Sequence, residues 1–119
     1  MTSKNTGVRA LQSTLGLRFK DAGLLRQALT HRSFLNEHPT EPAEDYERLE
    51  YLGDAFLGWV VADELFRRCP GYSEGDLTRA RVSLVRGETL AQIARQIDAG
   101  AHLIMGAGEE RTGGRDGRA

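Results

Sequence analysis

The 119-residue sequence contains one cysteine, three prolines, one tryptophan and two lysines. A single cysteine excludes an intramolecular disulfide and is typical of a reducing compartment. No apolar run approaches the roughly 20 residues that span a bilayer. No apolar segment follows the polar N-terminus as it would in a secretory signal. These absences predict a cytoplasmic protein without a membrane partner.

The sequence also lacks an excess of charge of one sign, since its formal net charge is −1. Such a chain has no overall attraction to nucleic acid, so any binding of nucleic acid must come from local placement of charge. Fourteen of the 16 basic residues are arginines. Arginine suits bidentate contacts to phosphate, but a GC-rich genome produces the same bias and is the more common cause.

The hydrophobic periodicity predicts a single all-α domain over residues 1–119, without repeats or an interdomain linker. Asp21 and Ser73 are expected N-caps, and Gly16 lies where the first helix should stop. From Gly106 onward the chain is rich in glycine and charge, and no core-forming segment is predicted there. The predicted helices cover about 7–16, 21–33, 45–68, 74–86 and 88–98.

The third predicted helix carries three carboxylates, on Glu47, Glu50 and Asp54, within an arc of roughly 60°. Such crowding is unfavourable by a few tenths of a kcal/mol per pair. A hard divalent cation such as Mg²⁺ would compensate it, and could activate a water molecule and bind a phosphate oxygen. The pattern therefore fits half of a metal site for phosphodiester hydrolysis. By pattern alone, a solvated acidic helix face is the more common outcome.

The same helix has an apolar face and two internal glycines. Gly53 and Gly58 each cost about 1 kcal/mol relative to alanine. They indicate close approach of a ligand or another backbone, with tight helix–helix packing an equal alternative. The apolar face is predicted to be buried and consists of Leu49, Leu52, Phe56, Trp59 and Val60.

The segment Glu47–Ala55, reading ERLEYLGDA, resembles the signature of ribonuclease III, an endonuclease that cuts double-stranded RNA. Three other segments resemble this family in the same order along the chain. They are Leu29–Phe34, Tyr72–Thr78, and Gly106–Glu110 followed by Gly113–Arg115. The resemblance implies the all-α ribonuclease III endonuclease-domain fold.

The resemblance also implies a role for each matching residue. Glu50 and Asp54 correspond to metal ligands, and Asp54 to the residue most closely tied to catalysis. Glu47 and Glu74 correspond to further acids near the cleavage valley, and Tyr51 to an aromatic side chain that plugs a socket on the partner subunit of a homodimer. The implied cofactor is Mg²⁺, with Mn²⁺ as a substitute, and no small-molecule cofactor is expected. The implied substrate is double-stranded RNA in ribosomal RNA precursors and structured messages.

The sequence departs from the family pattern in three respects. Tyr46 stands where the family usually has asparagine, and Tyr51 where it more often has phenylalanine. The Asp-x-x-Glu helix that follows the Gly-Gly-Arg segment in the family, and the separate double-stranded-RNA-binding domain, lie outside the 119 residues. Glu109 and Glu110 precede that point and do not replace the helix.

We therefore expect a partial ribonuclease III domain, incomplete at the C-terminus, with exposed apolar patches and weak or no activity by itself. The alternative is a non-catalytic domain of the same fold that serves dimerisation or RNA docking. The retention of mutually repelling acids argues for the enzyme.

Overall fold

The computed structural model describes residues 3–116, with side chains over 7–115. The described residues form helices and no strand, which confirms the predicted fold class. No described helix combines the length and the apolar character needed to cross a bilayer. The α-helices are α1 (Ser3–Leu15), α2 (Ala22–Leu29), α3 (Arg32–Glu37), α4 (Glu47–Arg68), α5 (Glu74–Val85), α6 (Gly87–Gln96) and α7 (Ala107–Arg111), with short 3₁₀ helices at Ala99–His102 and Gly114–Asp116.

Local capping signals in the sequence explain several helix ends. The Asp21 carboxylate accepts a hydrogen bond from the Leu24 amide at the start of α2, at 3.2 Å. Ser73 and Asp76 form a capping box at the start of α5, each side chain accepting from the other's amide at 3.1 Å. Gly16 follows α1 with φ of +67°, a conformation that favours glycine. All three signals were predicted from the sequence, and the structure confirms them.

The core lies between α1 and α2. Val8 and Leu11 of α1 pack with Leu25 and Leu29 of α2, and Leu15 and Leu103 are partly buried against them. Val8, Leu11 and Leu15 recur at helical spacing, and they form the face of α1 that is turned to the core. Leu24, Leu25, Ala28 and Leu29 of α2 also recur at helical spacing, but Leu24 and Ala28 are exposed.

The predicted helix over 21–33 is interrupted at Thr30, which is fully buried. The Thr30 hydroxyl donates to the Arg26 carbonyl at 2.7 Å and occupies an acceptor of the last turn of α2. The backbone then turns outward to form a parallel bridge with Ile104. In this bridge His31 donates to the Ile104 carbonyl and Ile104 donates to the Leu29 carbonyl, both at 2.8 Å. The uninterrupted helix was therefore a wrong prediction, because a partner distant in sequence takes these backbone groups.

The segment from Ile104 onward is held by side chains of α3. The Gly106 amide donates to the Ser33 hydroxyl oxygen at 2.8 Å. The Glu37 carboxylate accepts from the Ala107 and Gly108 amides at 3.1 and 3.3 Å, at the start of α7. Gly106 is buried, and a Cβ there would overlap the Glu37 carboxylate. Among the described residues the buried hydrophobic core ends at Met105, as predicted, and the glycine-rich segment is held to α3 by these hydrogen bonds.

Helix α4 packs along α5, and this pair lengthens the molecule. The radius of gyration is 16.6 Å, against about 13.5 Å for a compact chain of this length. Leu52, Phe56 and Trp59 of α4 are 64%, 66% and 66% exposed. Their predicted burial was wrong because α5 covers a different stripe of α4. The exposed apolar patches that we expected of a partial domain are present.

We predict that Ser33→Ala destabilises the fold by about 1–3 kcal/mol, because the buried Gly106 amide loses its acceptor. The measurement is urea unfolding followed by circular dichroism. Ser13→Ala, at an exposed position of α1, serves as the control and should change stability by less than about 0.5 kcal/mol. Equal stabilities of the two variants would show that the Ser33–Gly106 link contributes nothing.

Candidate functional site

The N-terminal half of α4 presents two unpaired carboxylates to solvent. Glu50 and Asp54 are one turn apart, and both are exposed. Neither side-chain carboxylate forms a hydrogen bond or an ion pair with any residue that the structure describes. Carboxylate oxygens in this state are free to bind a hard cation, which prefers oxygen ligands and retains several waters.

The third acid of the predicted stripe has a different environment. An Arg32 nitrogen lies 2.6 Å from the Glu47 carboxylate, and another lies 3.3 Å from Asp45. Arg32 therefore offsets part of the repulsion between the carboxylates. The sequence alone had suggested that a metal ion would offset it. Glu47 stays on the same helix face as Glu50 and Asp54, but its charge is already compensated.

Glu74, the remaining predicted acid, is the exposed first residue of α5. The structure does not bring it together with the acids of α4. Within the described part of the chain, no group of three or more histidine, cysteine, aspartate or glutamate side chains could hold a metal ion jointly. Of the acids predicted on α4, Glu50 and Asp54 are therefore the two whose carboxylates have no partner among the described residues.

Tyr46 borders the acidic face at the residue that precedes α4. Its ring makes an edge contact with His31, with centroids 5.8 Å apart and planes at 64°. Burial raises the pKa of the Tyr46 phenol above 10.0, and the charges of Glu50, Asp45, Glu109 and Glu47 raise it further, in that order. The structure thus places a neutral phenol among four carboxylates, where the sequence had shown only a departure from the family pattern.

The two glycines of α4 do not have the close neighbours that their sequence positions suggested. A Cβ at Gly53 would meet nothing within 4 Å among the described residues. At Gly58 it would meet only the Arg81 guanidinium, at 3.9 Å, an ordinary contact. Tight helix–helix packing at Gly53 was therefore a wrong expectation within this part of the chain, and that helix face is open.

Arg115 has a positioning role that the sequence analysis did not identify. One of its terminal nitrogens donates to the Gly100 and Leu103 carbonyls, at 3.0 and 2.7 Å. Its Nε donates to Glu110 at 3.0 Å, and this bond and the arginine charge lower the pKa of that carboxyl. The signal available in the sequence was the Gly-Gly-Arg segment itself. The groups that accept its hydrogen bonds are backbone carbonyls, so no residue type in the sequence marks them.

Two solved structures share this fold, and both are nuclease domains of ribonuclease III from Campylobacter jejuni. One has a TM-score of 0.82 and 38% identity over 92% of this chain and 72% of its own. The other has a TM-score of 0.79 and 39% identity over 91% of this chain and 69% of its own. The first is described as flexible in a region involved in dimer formation. The fold is therefore that of a nuclease domain.

Sequence comparisons define the family. The ribonuclease-III-like family profile matches residues 21–119. Proteins named ribonuclease 3 from Syntrophobacter fumaroxidans and Vibrio campbellii are 48% and 47% identical to this chain over 92% of its length. The chain spans 45% and 46% of those two relatives. This chain belongs to the ribonuclease III family, as its four sequence motifs indicated.

We predict that Tyr46 ionises above pH 10 and that Glu50→Gln lowers its pKa, because Glu50 is the largest charge that raises it. The raised pKa favours the neutral phenol in the fold, so Tyr46 contributes stability below pH 10 that is lost as the pH rises through its folded pKa. The measurement is tyrosinate absorbance during alkaline titration, with Tyr46→Phe identifying the transition. Glu64→Gln, a change of the same charge elsewhere on α4, is the control. Equal titration curves for Glu50→Gln and Glu64→Gln would contradict the assignment of Glu50 as the largest charge that raises the pKa of Tyr46.

Proposed function

We propose that this chain provides the first pair of metal ligands of a double-stranded-RNA-specific endoribonuclease of the ribonuclease III type. The observation that carries the proposal is the pair of exposed, unpaired carboxylates on Glu50 and Asp54, in a chain that belongs to this family. The substrates would be ribosomal RNA precursors and structured messages in the cytoplasm.

The residues present fit a divalent cation of the Mg²⁺ type, with Mn²⁺ as a substitute. Glu50 and Asp54 supply oxygen ligands on one face of a rigid helix, which is the donor chemistry that this ion prefers. When bound, such an ion supplies an activated water and stabilises charge on a phosphodiester. Asp54 and Glu50 would hold the ion, and Glu47 and, on α5, Glu74 would be further acids near the valley that receives the RNA. Tyr46 stays protonated beside Glu50 and adds no further negative charge.

Two carboxylates form an incomplete ligand set, and this limits what the 119 residues do by themselves. Affinity for the metal and activation of water both fall when ligands are missing. We therefore expect metal binding that depends on Glu50 and Asp54, together with little or no Mg²⁺-dependent cleavage of a long RNA duplex.

We predict that Asp54→Asn and Glu50→Gln each lower the affinity for Mn²⁺ by at least about tenfold, the scale on which disturbed metal sites lose affinity. Paramagnetic relaxation enhancement of water protons by bound Mn²⁺ measures the affinity. Glu64→Gln is the matched control because Glu64 lies on the same helix, exposed and paired with Arg68 at 2.7 Å.

Unchanged Mn²⁺ affinity in Asp54→Asn would show that the ion binds elsewhere. Failure of the unaltered chain to bind Mn²⁺ would overturn the enzyme proposal and favour a non-catalytic dimerisation or RNA-docking domain. Robust cleavage of duplex RNA by the 119 residues would overturn the view that this ligand pair is insufficient.

The proposal includes a homodimer formed through the N-terminal half of α4. Tyr51 is 81% exposed, and it borders a cavity of about 610 Å³ that is also lined by Gln27 and Leu52. A two-fold interface is self-complementary, so a protruding side chain beside a recess suits a second copy of the same surface. The exposed apolar side chains of Phe56 and Trp59 on the same helix would extend such a contact.

We predict that Tyr51→Ala raises the dissociation constant of the homodimer about 30-fold, the effect of losing a central aromatic residue worth about 2 kcal/mol. Sedimentation equilibrium measures the constant. Tyr72→Ala, which removes another exposed tyrosine outside α4, is the control and should leave it unchanged. A monomeric unaltered chain, or equal effects of the two substitutions, would contradict a dimer centred on Tyr51.

A further inference from the structure

Arg81 of α5 lies on the extension of the acidic stripe of α4. Its guanidinium nitrogen Nη1 is 3.9 Å from the position that a Cβ would occupy at Gly58. Gly58 is one turn beyond Asp54, about 6 Å further along the helix axis, and only about 40° away around it. The arginine head group therefore lies beside the line of carboxylates and not on the far side of the helix.

Arg81 is one of six arginines, among the 13 whose side chains the structure describes, that form no ion pair. No carboxylate that the structure describes lies within ion-pairing distance of it. Its neighbour Arg79, two residues earlier on α5, is paired with Asp76 at 2.6 Å. Arg81 is also only half-exposed, whereas Arg79 is exposed. The arginines that form ion pairs are Arg26, Arg32, Arg67, Arg68, Arg79, Arg86 and Arg115.

Arg81 is half-buried, and its guanidinium lies beside Gly58. Arginine side chains often lay their aliphatic stems along apolar surface and keep the charged end accessible. A stem held in this way loses less conformational entropy when the guanidinium binds a ligand. The glycine at position 58 contributes to this arrangement, because a large side chain there would occupy the space beside the guanidinium.

The acidic face of α4 beside Arg81 indicates which kind of ligand the Arg81 guanidinium would bind. A chain of net charge −1 with Glu50 and Asp54 unpaired repels an approaching RNA backbone, so binding requires a cation close to these acids. The planar guanidinium matches a phosphate group in geometry and charge. We infer that Arg81 binds a backbone phosphate of duplex RNA adjacent to the phosphate placed at Glu50 and Asp54. This inference rests on the proposed function and adds Arg81 to it as a positioning residue.

The test uses the full 119-residue chain in Mg²⁺, where little or no cleavage by this chain is expected, with fluorescence anisotropy and two RNA duplexes of unrelated sequence. Arg81→Met keeps the apolar stem and removes the charge. It should weaken binding to both duplexes about tenfold at low salt, and reduce the slope of log affinity against log salt by about one. Arg81→Lys should recover part of the affinity and all of the slope. Arg79→Gln is the matched control and should change the affinity less than threefold (roughly, for a paired surface arginine).

The outcomes separate this inference from the proposed function. If the unaltered chain binds duplex RNA and Arg81→Met binds it equally well, the role of Arg81 is wrong and the proposed function stands. Equal losses in Arg79→Gln and Arg81→Met would also overturn the inference, since they would indicate a general effect of charge. If the unaltered chain binds Mn²⁺ but no duplex RNA in Mg²⁺, the inference is overturned and the metal-ligand pair stands; if it binds neither, the proposed function fails as well. Circular dichroism melting checks that Arg81→Met folds. Arg81→Gln, which also removes the charge and should lose affinity and slope to the same extent, replaces it should the methionine variant unfold.

Discussion

Thr30 is fully buried at the point where α2 ends. The buried backbone N–H and C=O groups around it therefore need hydrogen-bond partners within the protein. Two of these partners come from distant parts of the chain. The Thr30 carbonyl accepts from the Tyr46 amide at 3.0 Å, and the neighbouring groups bond to Ile104. The residue that precedes α4 is therefore fixed by the end of α2. The direction in which Glu50 and Asp54 project depends on this junction, and the Glu50 amide donates to the Tyr46 carbonyl at 2.7 Å.

One face of α4 is half-buried in the C-terminal half of the helix and exposed in the N-terminal half. In its C-terminal half, Leu57, Gly58, Val61 and Leu65 fall within roughly 100° of arc and are half-buried. In its N-terminal half the same arc carries the carboxylates and is open. Unpaired charges cannot be buried without a large penalty, whereas apolar side chains gain from burial. The change in residue type along the stripe thus sets where the contact with α5 ends, and Arg81 lies at that boundary.

Features determined by local sequence were predicted well. The Asp21 cap and the turn at Gly16 involve residues a few positions apart, and so do the long periodic helices. The acidic face of α4 was predicted for the same reason, since helix geometry alone places Glu47, Glu50 and Asp54 together.

The break at Thr30 was not predictable, because helical periodicity continues through it and the competing partner is remote in sequence. Periodicity also marks which side chains are apolar without showing what covers them, so Leu52, Phe56 and Trp59 were wrongly expected to be buried. Arg32 pairs with Glu47, and four carboxylates surround Tyr46, through tertiary contacts. Such contacts produce no periodic pattern in the sequence, so these two features could not be predicted.

The hydrogen bond from Gly106 to Ser33 spans 73 residues, and this separation has a consequence for the order of folding. Helices α4 and α5 are adjacent in sequence and can pair early, since local contacts form fastest. The junction beneath α4 closes only when the chain around Ile104 and Gly106 becomes available, after α4 and α5 have been synthesised from the N-terminus. Until then the acid-bearing helix can exist but has no fixed orientation. A nascent chain would therefore acquire its secondary structure well before it acquires the geometry of the site.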